Sequence, residues 1–301
     1  MTLIAVKQVT KQYGSQKAVD DISFTLDRGE IVGFLGPNGA GKSTTMKMIS
    51  GILSADSGEI LVDDQPMNHD HIALRQKIAY LPEQNPLYND LYIRESLEFI
   101  AKLHRVEHPT PRILDIMSLT GLNPEKNKKI GELSKGYRQR VGLAQTILHQ
   151  PDLYILDEAT TGLDPNQILE IRELIKSLGK EKAILISTHI LQEVESICQR
   201  CILINKGKIM ADERMDVFKS RASGLPQIRV KFKNKVNIHD IKAHWKNVES
   251  IHDGFIITHY DQDLGASIFQ WAVQHGVVIT ELTPLHHTLE DIFQSLTISN
   301  N

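Results

Sequence analysis

Apolar residues along this chain fall into two rhythms. Short runs that alternate or are apolar throughout are separated by longer stretches with apolar residues at helical spacing. Leu3, Ala5 and Lys7 alternate with Ile4, Val6 and Gln8, which predicts a strand. Tyr13-Gly14 marks a turn. Ile22, Phe24 and Leu26 predict a second strand, and Arg28-Gly29 turns it into the apolar run 31–35. Two short strands ahead of a buried one suggest an antiparallel flap beside a parallel sheet. A helix is read at 44–49, and strands at 59–62, 78–81, 152–158 and 182–187. Residues 201–204 and 209–211 read as a hairpin around Asn205-Lys-Gly-Lys208.

From about 90 to 150 the helical period takes over, with Ile93, Leu97, Ile100 and then Leu103 or His104. Pro109 and Pro111 are read as breaking that helix, and 113–119 as a short helix ended by Gly121. Lys126 to Lys129 reads as a solvated basic loop. Ser134 is placed as the N-cap of a helix carrying Val141, Ala144 and Leu148. Residues 88–150 therefore form a helical insert in an α/β chain. Residues 221–226 are a linker by composition. Beyond it the order is β-α-β-β-α-β, with Asp253-Gly254 as a hairpin signal. That order predicts a small α+β ferredoxin-like domain over 225–301, followed by a last helix at 288–296. The first domain spans 1–220.

Composition narrows the function classes. A chain of 301 residues has room for one large domain or two smaller ones. A net charge of -3 supplies no basic footprint for nucleic acid. No run of about eighteen apolar residues is present to span a bilayer, and the first residues do not read as a secretory leader. Cys198 and Cys201 form one C-x-x-C pair, read as small buried thiols. Seven of the thirteen histidines lie between His239 and His287 with no metal-ligand spacing, and are read as solvated faces.

The chemistry is concentrated at Gly36, Pro37, Asn38, Gly39, Ala40, Gly41, Lys42, Ser43 and Thr44. This stretch fits G-x4-G-K-[ST] between a buried strand and a helix. Its glycines let successive N–H groups converge on one anion, and the helix N-terminus adds positive charge. Lys42 is assigned to the terminal phosphates and Ser43 to Mg2+. The strand at 152–158 ends in Asp157 and Glu158. Paired acids at the carboxyl end of a strand beside a phosphate loop suit an Mg2+ partner, Asp157, and a general base, Glu158. On position alone Tyr13 is either a cover for a flat base or a surface tyrosine. Gln84 is either an amide reaching a metal or water, or an exposed loop residue. His189 ends a strand of the same sheet and is placed on phosphate.

Together, the phosphate loop, Gln84, residues 133–139, residues 153–158, Asp164 and His189 resemble the nucleotide-binding subunit of ABC transporters in order and spacing. The resemblance covers residues 1 to about 215. It implies a P-loop NTPase of ABC type, a mixed sheet plus helical subdomain, that hydrolyses ATP with Mg2+. It further implies that Tyr13 stacks on adenine and that Gln84 senses the γ-phosphate and Mg2+. Ser134 and Gly136 would bind the γ-phosphate held by a second copy. Asp164 would line the seam of that head-to-tail dimer, and His189 would hold the γ-phosphate and the attacking water. The family's Leu-Ser-Gly-Gly-Gln segment reads here with Lys135 and Tyr137 at its third and fifth places. The ending 288–293 resembles export-type members with a separate membrane permease. A cytoplasmic subunit, peripheral on the inner face of the membrane, follows from that likeness. The alternative is a non-transport ATPase of the same type acting on ribosomes or DNA.

Overall fold

The apolar run Ile31–Leu35 is buried at all five positions and lies inside the larger sheet. A strand covered on both faces needs no polar alternation, which is why the run is continuous. The computed structural model describes residues 1–68, 70–222, 227–260 and 263–285, without the side chains of 220–222. The chain opens with β1 (Thr2–Tyr13) paired antiparallel to β2 (Gln16–Asp27), then β3 (Ile31–Leu35) and α1 (Lys42–Ile49). β4 (Ser57–Val62) and β5 (Gln65–Pro66) complete a sheet of order β2-β1-β4-β5. β1 and β2 are twelve residues each, longer than their clean alternation. Register shifts flank Val9, and Gln8 has φ of 50°. The pleat breaks at these bulges, and the alternating pattern breaks with it.

α2 (Ile72–Gln76) leads into β6 (Ile78–Leu81). The helical insert holds α3 (Ile93–Leu103), α4 (Pro109–Leu119) and α5 (Lys135–Leu148). Pro109 and Pro111 break no helix, because α3 has already ended. They stand in the first turn of α4, where a missing N–H removes no helical bond and a fixed φ suits the geometry.

The first unit closes with β7 (Leu153–Asp157), α6 (Pro165–Leu178), β8 (Ala183–Thr188), α7 (Leu191–Ile197), β9 (Arg200–Asn205) and β10 (Lys208–Arg214). The six-stranded sheet runs β10-β9-β3-β8-β7-β6, parallel except for the β9–β10 hairpin. β3, β8 and β7 are adjacent and parallel, so their carboxyl ends share one edge, the edge where open α/β sheets bind ligands. Val32, Phe34, Ile155, Leu185 and Ile202 are fully buried in the core of this unit. Each side chain of that kind contributes roughly 1.5–3 kcal/mol.

Two compact units divide the chain, Met1–Met215 and Asp216–Asn301. After α8 (Met215–Ala222), the second unit contains β11 (Gln227–Phe232), α9 (Ile238–His244), β12 (Asn247–Ile251), β13 (Gly254–Thr258), α10 (Leu264–Gln274) and β14 (Ile279–Leu285). Its antiparallel order β12-β13-β11-β14 is the ferredoxin-like arrangement that the sequence order implies. Trp245 and Trp271 meet edge-on at 5.8 Å in its core. Gly254 pairs with Ile251 and opens β13, so the hairpin loop is His252-Asp253. The helix read at 288–296, His286, His287 and linker residues 223–226 lie outside the described residues.

The insert meets the sheet edge beside a stacked histidine pair, His104 and His149, with ring centroids 3.8 Å apart. Neither ring nitrogen of His149 has a hydrogen-bond partner among the described residues. Burial lowers both pKa values, with the His104 charge adding to the effect at His149, which falls to about 4. A histidine held neutral by folding adds stability above its unfolded pKa near 6.5. That stability is lost as the pH falls from about 6.5 to about 4. The thermal midpoint of His149→Phe should therefore drop less over this window than that of the wild type, as read by calorimetry. An equal drop would mean that His149 does not titrate this way.

Candidate active site

The site begins where β3 ends. A Cβ on Gly36 would stand 2.4 Å from the Ile204 carbonyl oxygen. At Gly41, with φ of 109°, it would stand 2.4 Å from the Ala18 carbonyl oxygen. Only glycine fits either place, so the loop curls tightly into the N-terminus of α1. The cavity at this curl has a volume of about 400 Å³. Its lining includes Asn38, Gly39, Gly41, Lys42, Ser43 and Thr44 from the loop and α1. Asp157 enters from the end of β7 and Glu158 from the residue after it, Glu83 from the turn after β6, and Tyr13, Gln16 and Ala18 from the β1–β2 hairpin.

Lys42 is 7% exposed, and its Nζ donates to the carbonyls of Gly36 at 2.7 Å and Pro37 at 3.1 Å. Burial lowers its pKa, opposed by the negative charges of Glu158, Asp157 and Glu83. A cation therefore stands at one wall of the cavity with three acids around it. Asp157 is 2% exposed, and both its oxygens are engaged. Ser187 Oγ donates to Oδ1, and the Tyr80 hydroxyl donates to Oδ2 at 3.1 Å. Burial and the Asp157 charge push the Tyr80 pKa well above its ordinary value.

Glu158 is 7% exposed and has φ of 51°. For a residue with a Cβ that conformation costs about 1–2 kcal/mol. It persists because its surroundings hold it, and strain of this kind concentrates at functional sites. The Glu158 N–H donates to Ser187 O at 3.1 Å, and Thr161 Oγ1 donates to Oε2 at 3.1 Å. His189 Nδ1 lies 2.9 and 3.0 Å from the two carboxylate oxygens. The imidazole side chain is 51% exposed, so it is open to solvent on its other side.

Tyr13 is 54% exposed at the rim, with the Lys11 ammonium 6.0 Å from its ring centroid. In the loop after β6 both Glu83 and Gln84 are exposed; Glu83 lines the cavity, and Gln84 makes no hydrogen bond among the described residues. Asn85 reaches the helical insert, its Nδ2 donating to Arg138 O at 3.3 Å. Ser134 is the exposed N-cap of α5, with Oγ accepting the Tyr137 N–H at 3.4 Å, while Gly136 is buried. Asp164 caps α6 and accepts the Gln167 N–H at 2.9 Å. The lining adds Glu83 and Gln16 to the residues expected from the sequence. The acid directly after Pro82 was the signal available for Glu83.

The sequence profile described as ABC transporter matches residues 19–161. The chain is 34% identical to the bacitracin transport ATP-binding protein BcrA of Bacillus licheniformis, over 98% of this chain and 97% of that one. It belongs to the ABC transporter family. Among solved structures, an ATP-binding subunit of an ABC transporter superposes with a TM-score of 0.68 at 32% identity, over 73% of this chain and 93% of that one. The dimeric ATP-binding cassette MJ0796, bound to ADP and Pi, superposes with a TM-score of 0.65 at 26% identity, over 71% and 99%. The fold and the motifs are those of an ABC ATPase, and the chain is the ATP-binding subunit that couples ATP hydrolysis to transport. These relatives act in transport, which sets aside the reading as an ATPase of ribosomes or DNA. No helix among the described residues is long and apolar enough to cross a membrane.

Proposed function

We propose that this ABC transporter subunit binds Mg-ATP in the cavity above α1 and that two copies close head-to-tail over two nucleotides to drive export. The observation that carries the reading is Lys42 facing Asp157 and Glu158 across one cavity, with His189 on the carboxylate of Glu158. Converging loop amides and Lys42 hold the phosphates. Tyr13 covers the base. Ser43 and Asp157, with Glu83 beside them, are oxygen donors of the kind a hard divalent cation takes. Mg2+, when bound, neutralises charge on the terminal phosphates. Glu158 accepts the proton of the attacking water, and His189 orients that water and the γ-phosphate. The loop after β6, with Gln84 and its cavity-lining neighbour Glu83, reaches toward the γ-phosphate and Mg2+.

Ser134 caps α5 and Gly136 lies in its first turn. They serve the nucleotide of the second copy, with Asp164 at the seam. The MJ0796 cassette, a dimer with ADP and Pi bound, supports action as a pair. Lys135 beside Ser134 adds a positive charge toward that phosphate. Tyr88 and Phe99, 64% and 48% exposed with rings 6.0 Å apart, face solvent on the insert. The separate membrane-spanning partner docks there and keeps the subunit on the inner face of the membrane. Export is supported by the ending 288–293, which resembles export-type members.

The head-to-tail claim is tested by mixing variants. Lys42→Ala and Ser134→Arg homodimers should both be inactive. A mixed dimer carries one site damaged twice and one intact, so the mixture should regain a substantial fraction of wild-type ATPase. No recovery from folded, dimerising variants would mean that each chain completes its own site.

A further inference from the structure

Glu193 places a carboxylate, 4% exposed, in the first turn of α7. Burying such a group is unfavourable unless its oxygens are bonded. Both are, and by hydroxyls that flank the catalytic arms. Thr160 Oγ1 donates to Oε1, and Thr188 Oγ1 donates to Oε2 at 2.8 Å. Thr160 follows Glu158 by two residues, and Thr188 directly precedes His189. The two threonines are 8% and 1% exposed, so water does not compete freely for these bonds. Thr188 Oγ1 also accepts the Ile190 N–H at 3.0 Å, which leaves its own proton for Glu193. α7 is itself seated on the strand that carries the phosphate loop. A Cβ on Gly33 of β3 would stand 2.4 Å from Val194 Cγ1.

We propose that Glu193 is a positioning residue for hydrolysis. Its carboxylate ties the end of β8 to the loop after β7, so that Glu158 and His189 stay in register as nucleotide enters and leaves. Three features point the same way. Glu158 has a left-handed backbone that its own residue type does not favour, so an outside constraint must hold it. His189 is half exposed, and its ring is fixed to Glu158 alone among the described contacts. Glu193 is the carboxylate whose two oxygens reach both arms at once. A glutamine there replaces one of the two accepting oxygens with an NH2 donor, which faces a hydroxyl that now donates. The inference rests on the reading of Glu158 and His189 as the pair that readies water.

The test uses the purified full chain, with kcat and ATP affinity measured separately. Glu193→Gln should lower kcat by about ten-fold or more and leave ATP affinity within about three-fold. Thr160→Val should show part of that loss, and Thr160→Ser should recover turnover relative to it. Adding Glu193→Gln to His189→Ala should cost less than about three-fold more, because a residue that works through the pair loses its effect once the pair is broken. A Glu193→Gln kcat within about two-fold of wild type would overturn the proposal. So would a kcat loss matched by lost ATP affinity, or one of equal size in the His189→Ala background. Should Glu193→Gln fail to fold, Thr160→Val and its double with His189→Ala carry the same test. A stalled Glu158→Gln beside a fully active Glu193→Gln sinks the positioning role alone. A Glu158→Gln that turns over normally sinks the parent reading and this one with it.

Discussion

Lys42→Ala is expected to weaken ATP binding by roughly thirty-fold to several-thousand-fold, the equivalent of about 2–5 kcal/mol for removing one partner of a buried charge pair. The magnitude follows from where the ammonium lies. At 7% exposure it is shielded from water, and it is aimed by carbonyl bonds to Gly36 and Pro37 at the mouth of the loop. Asp157, Glu158 and Glu83 surround the same space, so a triphosphate that enters without Lys42 meets acids with its main counter-charge gone. Alanine also removes the aliphatic stem. Lys42→Met keeps most of that stem, and should bind nearly as poorly if charge is the cause. Nucleotide titration by calorimetry decides both. Normal affinity in either variant would remove the phosphate-loop assignment.

Glu158→Gln should retain ATP and lower turnover by about 10²–10⁴, the usual worth of a general base. The amide keeps the size of the side chain and still offers His189 Nδ1 an acceptor, so the local packing survives. The proton sink is lost. The backbone at φ of 51° is unchanged by the swap, which keeps strain out of the comparison. Steady-state phosphate release and equilibrium binding separate the two effects. Turnover near wild type would remove Glu158 as the base, whatever its contact with His189.

Much of this site was legible because its chemistry lies in short contiguous stretches. The phosphate loop and the acids at 157 and 158 each declare themselves by residue type next to a buried strand. That Glu83 rather than Gln84 lines the ligand-free cavity has a geometric cause. Leu81 ends β6, and which of the next side chains turns inward depends on the backbone after Pro82, which no periodicity encodes. Glu193 was hidden for a different reason. In the sequence it is one acid in a short helix, and its partners Thr160 and Thr188 lie 33 and 5 residues away. Only the fold brings the three hydroxyl and carboxylate groups together. The prolines at 109 and 111 look like stops in the sequence because the pattern does not show that α3 ends first, at Leu103. β1 and β2 ran past their alternation because bulges shift which face each residue takes.

The most direct measurement is retention of γ-labelled ATP by Glu158→Gln during gel filtration with Mg2+. The expected result is uncleaved label eluting with a dimer that is absent without nucleotide, at one ATP per chain. Label that passes through unbound, or that elutes cleaved at the wild-type rate, would contradict the claim that this cavity grips ATP and that Glu158 readies the water that cuts it.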